Sequence, residues 1–147
     1  MTQVDFYILE QPGDEAPPHF ACRLAEKAWR QGHKVHIHAA SAAQAEQLDA
    51  LLWRFRDLSF VPHSLGNEPL AATSPIHIGH DEQTVQHHDV LINLDQTVPL
   101  FFSRFERVAE LVGQDAQQRQ LGRTRFTFYR DRGYPLQTHT ISAGSTT

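Results

Sequence analysis

The stretch "VDFYILEQPGDEAPPHFACRLAEKAWRQGHKVHIHA", residues 4–39, decides the fold. It opens on a short apolar run, "VDFYIL", bounded by turn residues. It closes on "KVHIHA", in which Val35, Ile37 and Ala39 alternate with Lys34, His36 and His38. Both read as strands. Between them Phe20, Leu24 and Ala28 recur at i, i+4 and i+8, after two prolines and before Gly32, which predicts a helix followed by its stop signal. Strand, helix and strand at this spacing make a βαβ unit, and such a crossover joins parallel strands.

The same alternation continues outward. Ser41 and Gln44 have capping-box spacing ahead of "AAQAEQLDALLW", whose Ala45, Leu48 and Leu52 share one helical face. "SFVPH", "PIHIG" and "DVLINL" are three further short strands, separated by the loop "SLGNEPLAATS" and by the polar "HDEQTVQHH". Farther on, "RVAELV" (107–112) is short enough for a strand, although Phe101, Phe105, Val108 and Val112 also fit a helical stripe. Asp115 with Gln118 starts, and Gly133 ends, a predicted helix over 115–133. The expected architecture is a single α/β domain over 1–141. Its parallel sheet is flanked by helices, and the tail "SAGSTT" (142–147) is flexible.

Composition narrows the chemistry. At 147 residues, with 40% hydrophobic and 20% charged residues, the chain has the length and balance of one globular domain. The lone Cys22 excludes an intramolecular disulfide and predicts a reducing, cytoplasmic setting, with the thiol serving as a small hydrophobe. The amino terminus lacks a basic and apolar leader pattern, and no apolar run is long enough for a membrane span, so a soluble, unexported protein is expected. A net charge of −4 argues against broad binding to a phosphate backbone and leaves any nucleic-acid connection to run through another protein.

The motifs that usually accompany a parallel sheet are missing. Neither G-x-x-x-x-G-K-[ST] nor G-x-G-x-x-G occurs, and the turn after the first strand, "EQPGDEAPP", is acidic and proline-rich where a phosphate would need amides and a lysine. No nucleophile elbow is present. The ten histidines, among them His36, His38, His77, His80, His87 and His88, offer a histidine-dependent metal enzyme as the alternative reading. None falls in a ligand spacing such as H-E-x-x-H, and alternation puts His36 and His38 on a polar, solvated strand face, so no metal or other cofactor is assigned.

Two features remain. "LLWRFRDLSFVPH" (51–63) crowds Trp53, Phe55, Phe60 and Val61 among arginines in a connection, where polar residues are the rule. The second is a basic stripe on the predicted last helix, with Arg119, Arg123 and Arg130 at i, i+4 and i+11 and Phe126 at i+7. Segment 115–133 carries five arginines, including Arg125 and Arg132, against two aspartates, a local charge of +3 in an acidic chain. A cationic patch interrupted by an aromatic ring suits an acidic peptide with an apolar anchor.

"FYIL", "AEKAWRQGHKV", "LDALLWRFRDLSFVPH", "DVLINL" and "RQLGRTRFTFYRDRGYPL" are collinear with, and resemble, the chi subunit family of the bacterial DNA polymerase III holoenzyme. The resemblance reaches to about Ile141. It implies a mostly parallel α/β fold of Rossmann-like or P-loop-like topology without a phosphate-binding loop, a strand for "RVAELV" and a helix after Asp115. It also implies a non-catalytic accessory subunit that pairs with the psi subunit, links through it to the clamp loader, and holds the acidic C-terminal tail of single-stranded DNA-binding protein. Chi would then tether the replicase to coated lagging-strand DNA and touch DNA only indirectly. Carried over by position, the psi surface falls on Trp53, Phe60, Val61 and Pro62, a surface the family shares with an accessory helicase. The tail site falls on Val112, Arg119, Arg123 and Phe126, with Arg130 at its rim. Familiar members of the family carry lysine where Arg119 stands, tyrosine where Phe126 stands and a basic residue where Thr127 stands. Affinity for the tail could therefore be weaker, or be carried by Arg125 or Arg130 instead.

Overall fold

The βαβ unit read from residues 4–39 is present in the computed structural model, which describes residues 1–54, 63–65, 74–81 and 87–142. It consists of β1 (Gln3–Leu9), α1 (Ala16–Arg30) and β2 (Val35–His38). Pro17 and Pro18 sit in the first turn of α1, where their missing N–H groups leave no helical hydrogen bond unmade. Gly32, at φ 87°, turns the chain out of the helix with a backbone conformation that a side chain would strain. Next comes α2 (Ala42–Arg54). The Gln44 N–H donates to Ser41 Oγ at 3.2 Å, and Gln44 Oε1 accepts from the Ala40 N–H at 2.7 Å, one residue earlier than a standard capping box.

The remaining elements are β3 (His63–Leu65), β4 (Ile76–Gly79), β5 (Val90–Asn93), β6 (Arg107–Val112), α3 (Ala116–Asp131) and β7 (Leu136–Ile141). A short 3-10 turn, Phe102–Arg104, precedes β6. Asp115 caps α3 by accepting the Gln118 N–H at 2.9 Å. Among the described residues one sheet has the order β3-β4-β2-β5-β6-β1-β7, and every pair in it is parallel. Among those residues no helix is long and apolar enough to cross a membrane.

Both faces of the sheet are covered, as a parallel sheet requires. On one face α1 and α2 lay Phe20, Ala25, Leu48 and Leu52 over Val35, Ile37, Ile78 and Ile92. On the other, Tyr129 of α3 and the segment 101–105 cover Val4, Phe6, Leu91 and Val108.

The structure corrects three sequence expectations. His36 and His38 are buried, because Phe101 and Phe105 close over the face that alternation made polar. Ser64 and Leu65, read as loop, continue the strand that starts at His63, while 59–62 and the tail from 143 lie outside the described residues. "LQTHTI", given no element from sequence, forms β7 at the sheet edge. The ambiguous "RVAELV" is a strand: sandwiched between β5 and β1, it meets backbone partners on both sides and an apolar layer on each face.

Candidate functional site

At about 100° of turn per residue, Arg119, Arg123, Phe126 and Arg130 fall within about 60° of arc on α3. The buried face of the helix, Gly122, Arg125 and Tyr129, lies to one side of that stripe. The stripe therefore overhangs the sheet instead of facing it. Beneath the overhang is a groove of about 250 Å³ whose apolar floor and walls are Phe6, Ile8, Val112 and Phe126 and whose charges are Arg119 and Arg123. Gly122 and Thr138 complete it. The structure thus brings four of the five sequence-predicted tail-site residues to one concavity. Arg130 stays on the same helical stripe, outside the groove, exposed and 3.5 Å from Asp131.

The two groove arginines differ in freedom. Arg119 donates from Nε to the Gly113 carbonyl and from a terminal nitrogen to the Leu9 carbonyl, both at 3.0 Å, so its guanidinium is fixed against the ends of β6 and β1. Arg123 is exposed, with a hydrogen bond to Gln120 Oε1 at 3.3 Å. One cation is positioned in advance, which lowers the ordering cost of binding, and the other can adapt.

Arg125, counted in the basic patch from sequence and offered as a substitute contact, is 2% exposed and faces the core. Six residues beyond Arg119, it lies about 240° round the helix. It meets fully buried Glu110 at 2.8 Å and donates to the Gln96 and Leu111 carbonyls. Tyr129 Oη and Asn93 Nδ2 also donate to that carboxylate, at 2.7 and 2.9 Å. Burial raises the Glu110 pKa, and the Arg125 charge opposes it, followed by these hydrogen bonds. Arg132 is likewise occupied, its guanidinium 3.6 Å from the Phe128 ring centre. The surface charge of α3 at the groove therefore comes from Arg119 and Arg123.

Trp53 lies in the last turn of α2 and is 59% exposed, an uncommon state for so large an apolar group. Phe60, Val61 and Pro62, expected beside it, lie outside the described residues.

The histidines do converge, but under cover. His36 Nδ1 lies 3.0 Å from His77 Nδ1, His87 Nε2 bonds the Ser74 carbonyl, and His38 Nε2 is 3.4 Å from Asp95. Burial lowers the pKa of His36 well below the ordinary value, aided by His77, and lowers those of His38 and His87. Among the described residues no group of three or more His, Cys, Asp or Glu is arranged to hold a metal. Cys22 is buried in α1, and burial pushes its thiol up to about 12. A crevice of about 320 Å³ opens at the carboxyl ends of β1, β5 and β6, where related sheets hold phosphates. Its charged residues are Asp14, Asp95 and Asp115, the wrong sign for an anion.

Phe6, Ile8, Gly122 and Thr138 were not singled out from sequence. Alternation along β1 places Phe6 and Ile8 on one face, and a glycine inside a helix hints at close packing. Thr138 gave no signal, because β7 itself was not read.

A family model described as "DNA polymerase III chi subunit, HolC" matches residues 1–137. The chain is 48% identical over 141 residues to the DNA polymerase III subunit chi of Pseudomonas aeruginosa, a match covering 96% of this chain and 98% of that protein. It is 35% identical to the Haemophilus influenzae subunit chi, over 92% and 95% of the two chains. With the Escherichia coli subunit chi it shares 32% identity over 95% and 99%. Among solved structures, the crystal structure of T4 UvsW superposes with a TM-score of 0.67 at 8% identity, covering 96% of this chain and 42% of that one, a likeness of fold.

Proposed function

The chain belongs to the DNA polymerase III chi subunit family, which makes it an accessory subunit of replication, and on that premise we propose that it works as a non-catalytic adaptor with two protein-binding surfaces. The groove under α3 takes the acidic C-terminal tail of single-stranded DNA-binding protein. The surface around Trp53 takes the psi subunit, and through it the clamp loader, in competition with an accessory helicase. Together they tether the replicase to coated lagging-strand DNA.

The observation that carries this reading is the convergence of Val112, Arg119, Arg123 and Phe126 on one groove. An acidic peptide ending in an apolar residue needs an apolar cavity for the last side chain and a cation for the free carboxylate. Arg119, already fixed by two carbonyls, offers its remaining donors to that carboxylate, and Arg123 meets the upstream acids.

The test is fluorescence polarisation of three peptides, native, amidated and lacking the terminal ring, across a salt series. Native binding weakens with salt as the Debye length falls from about 10 Å at 0.1 M to about 3 Å at 1 M, leaving a salt-resistant part that disappears with the ring. Amidation hurts more than neutralising any one upstream acid. Equal binding of the amidated and native peptides would reduce the arginines to a solvated face and remove the site assignment.

A further inference from the structure

We infer that an acidic peptide seated in the groove continues out of it as an added strand on the open edge of β7. This rests on the acidic-tail reading of the groove and states how the peptide's backbone is held.

β7 is the last strand of the sheet and pairs with β1. The Val4 N–H donates to the Pro135 carbonyl at 3.0 Å and the Glu10 N–H to the Ile141 carbonyl at 2.9 Å. In a parallel ladder the residues that bond one neighbour alternate with those that do not. The odd-numbered positions of β7 therefore serve β1, and Leu136, Thr138 and Thr140 direct their N–H and C=O groups to the outer edge. Thr138 belongs to both features: its side chain lines the groove, and its backbone polar groups face outward. A chain leaving the groove passes them.

Among the described residues the edge has none of the usual defences. Leu136–Ile141 contains no lysine, no proline and no break in register, and Thr138 and Thr140 are exposed. Such an edge is a template for strand addition.

Charge selects the occupant. Arg119 bonds the Leu9 carbonyl at the end of β1, whereas Phe126 meets Phe6 in its middle, 5.3 Å between ring centres, so α3 runs antiparallel to β1 and hence to β7. Arg119, Arg123 and Arg130 then flank the edge over about 16 Å, the reach of about five extended residues. With the terminal carboxylate at Arg119, the upstream acids pass Arg123 and then Arg130, and the peptide runs parallel to β7, continuing the parallel sheet. Arg130, left outside the groove, gains its role from this path.

The probe is a fluorescent acidic peptide ending in phenylalanine with a free carboxylate. Backbone N-methylation is scanned along it, and Thr138→Pro is compared with Thr138→Val. Proline removes an outward N–H, which edge strands tolerate, together with the threonine side chain, while valine changes the groove wall and keeps the donor, so that the difference between the two variants reads the N–H. The expected result is weakening at alternate N-methylated positions, with Thr138→Pro binding about tenfold weaker than Thr138→Val. N-methyl effects without alternation, or equal binding by the two variants, overturn the added strand. If Arg123→Ala abolishes binding in that case, the groove reading stands alone. Absence of binding by the unaltered protein removes both. The methylation scan uses the unaltered protein and decides the matter even if Thr138→Pro fails to fold. A self-dimer in sedimentation that Thr138→Pro dissolves would give the edge to a second copy of this chain and overturn the proposal.

Discussion

A carbon atom added at Gly122 would stand 2.9 Å from both Cγ atoms of Val112, closer than such contacts occur. The absence of a side chain at Gly122 thus sets how near α3 lies to β6, and that distance sets the depth of the groove. Gly122→Ala gains up to about 1 kcal/mol in helix propensity, but overpacking typically costs about 1–3 kcal/mol. Overpacking wins here because Val112 is β-branched, buried and fixed on an inner strand. Gly122→Ala is expected to lower the urea midpoint and weaken peptide binding together, and Val112→Ala in the same chain to restore the midpoint in part. An unchanged midpoint would mean that α3 is free to shift.

Arg123 and Arg125, two residues apart, should respond to alanine in opposite ways. Arg125→Ala leaves the fully buried Glu110 carboxylate without its cation, a loss on the order of 3–5 kcal/mol for a broken buried pair. Arg123→Ala removes an exposed side chain and should leave stability within about 0.5 kcal/mol while abolishing binding of the acidic peptide. Denaturant unfolding and peptide titration on both variants check this. Reversal of the pattern would exchange their roles.

That contrast shows what the sequence could and could not reveal. Local periodicity suffices for β1, α1, β2 and α2, since the spacing of Phe20, Leu24 and Ala28 or of Ala45, Leu48 and Leu52 encodes a face. The stripe of Arg119, Arg123 and Phe126 is legible for the same reason. Arg125 is not: its burial depends on Glu110, fifteen positions back on β6, a pairing that only the folded sheet creates. His36 and His38 misled because alternation detects polarity on a face, whereas burial of that face depends on Phe101 and Phe105, which arrive from a distant segment. β7 was invisible because an edge strand with half its residues exposed has little apolar signature.

The buried histidines predict a particular acid sensitivity. His36, His38 and His87 have pKa values lowered chiefly by burial, so the native state stays neutral where the unfolded chain, titrating near about 6.5, takes up protons. The stability they protect is complete above about pH 6.5 and falls as pH drops below it, by up to about 1.4 kcal/mol per pH unit for each histidine kept neutral. Urea midpoints between pH 7.5 and 5 should fall, and the slope should be shallower in His36→Asn whatever its absolute stability. A flat midpoint across that window would contradict the burial of these rings.

Trp53 provides the last prediction, because the sheet separates it from the groove. α2 packs on one face beside β3 and β4, while the groove lies on the other face beside β1 and β7, at the opposite end of the strand order. Six strand spacings of about 4.8 Å put about 29 Å of rigid sheet between the two edges. Sites that far apart with no shared partners act independently. Trp53→Ala, which removes a largely exposed ring, should leave the thermal transition in place, eliminate co-purification with psi, and preserve the affinity for the acidic peptide. Arg123→Ala should do the converse, keeping psi and losing the peptide. A truncated interface anchor costs about 2 kcal/mol or more, enough to read as a loss of about thirtyfold in affinity. Retention of psi by Trp53→Ala at the yield of the unaltered protein would take the psi surface away from this end of α2, and a drop in peptide affinity in the same variant would show the two surfaces to be coupled through the sheet.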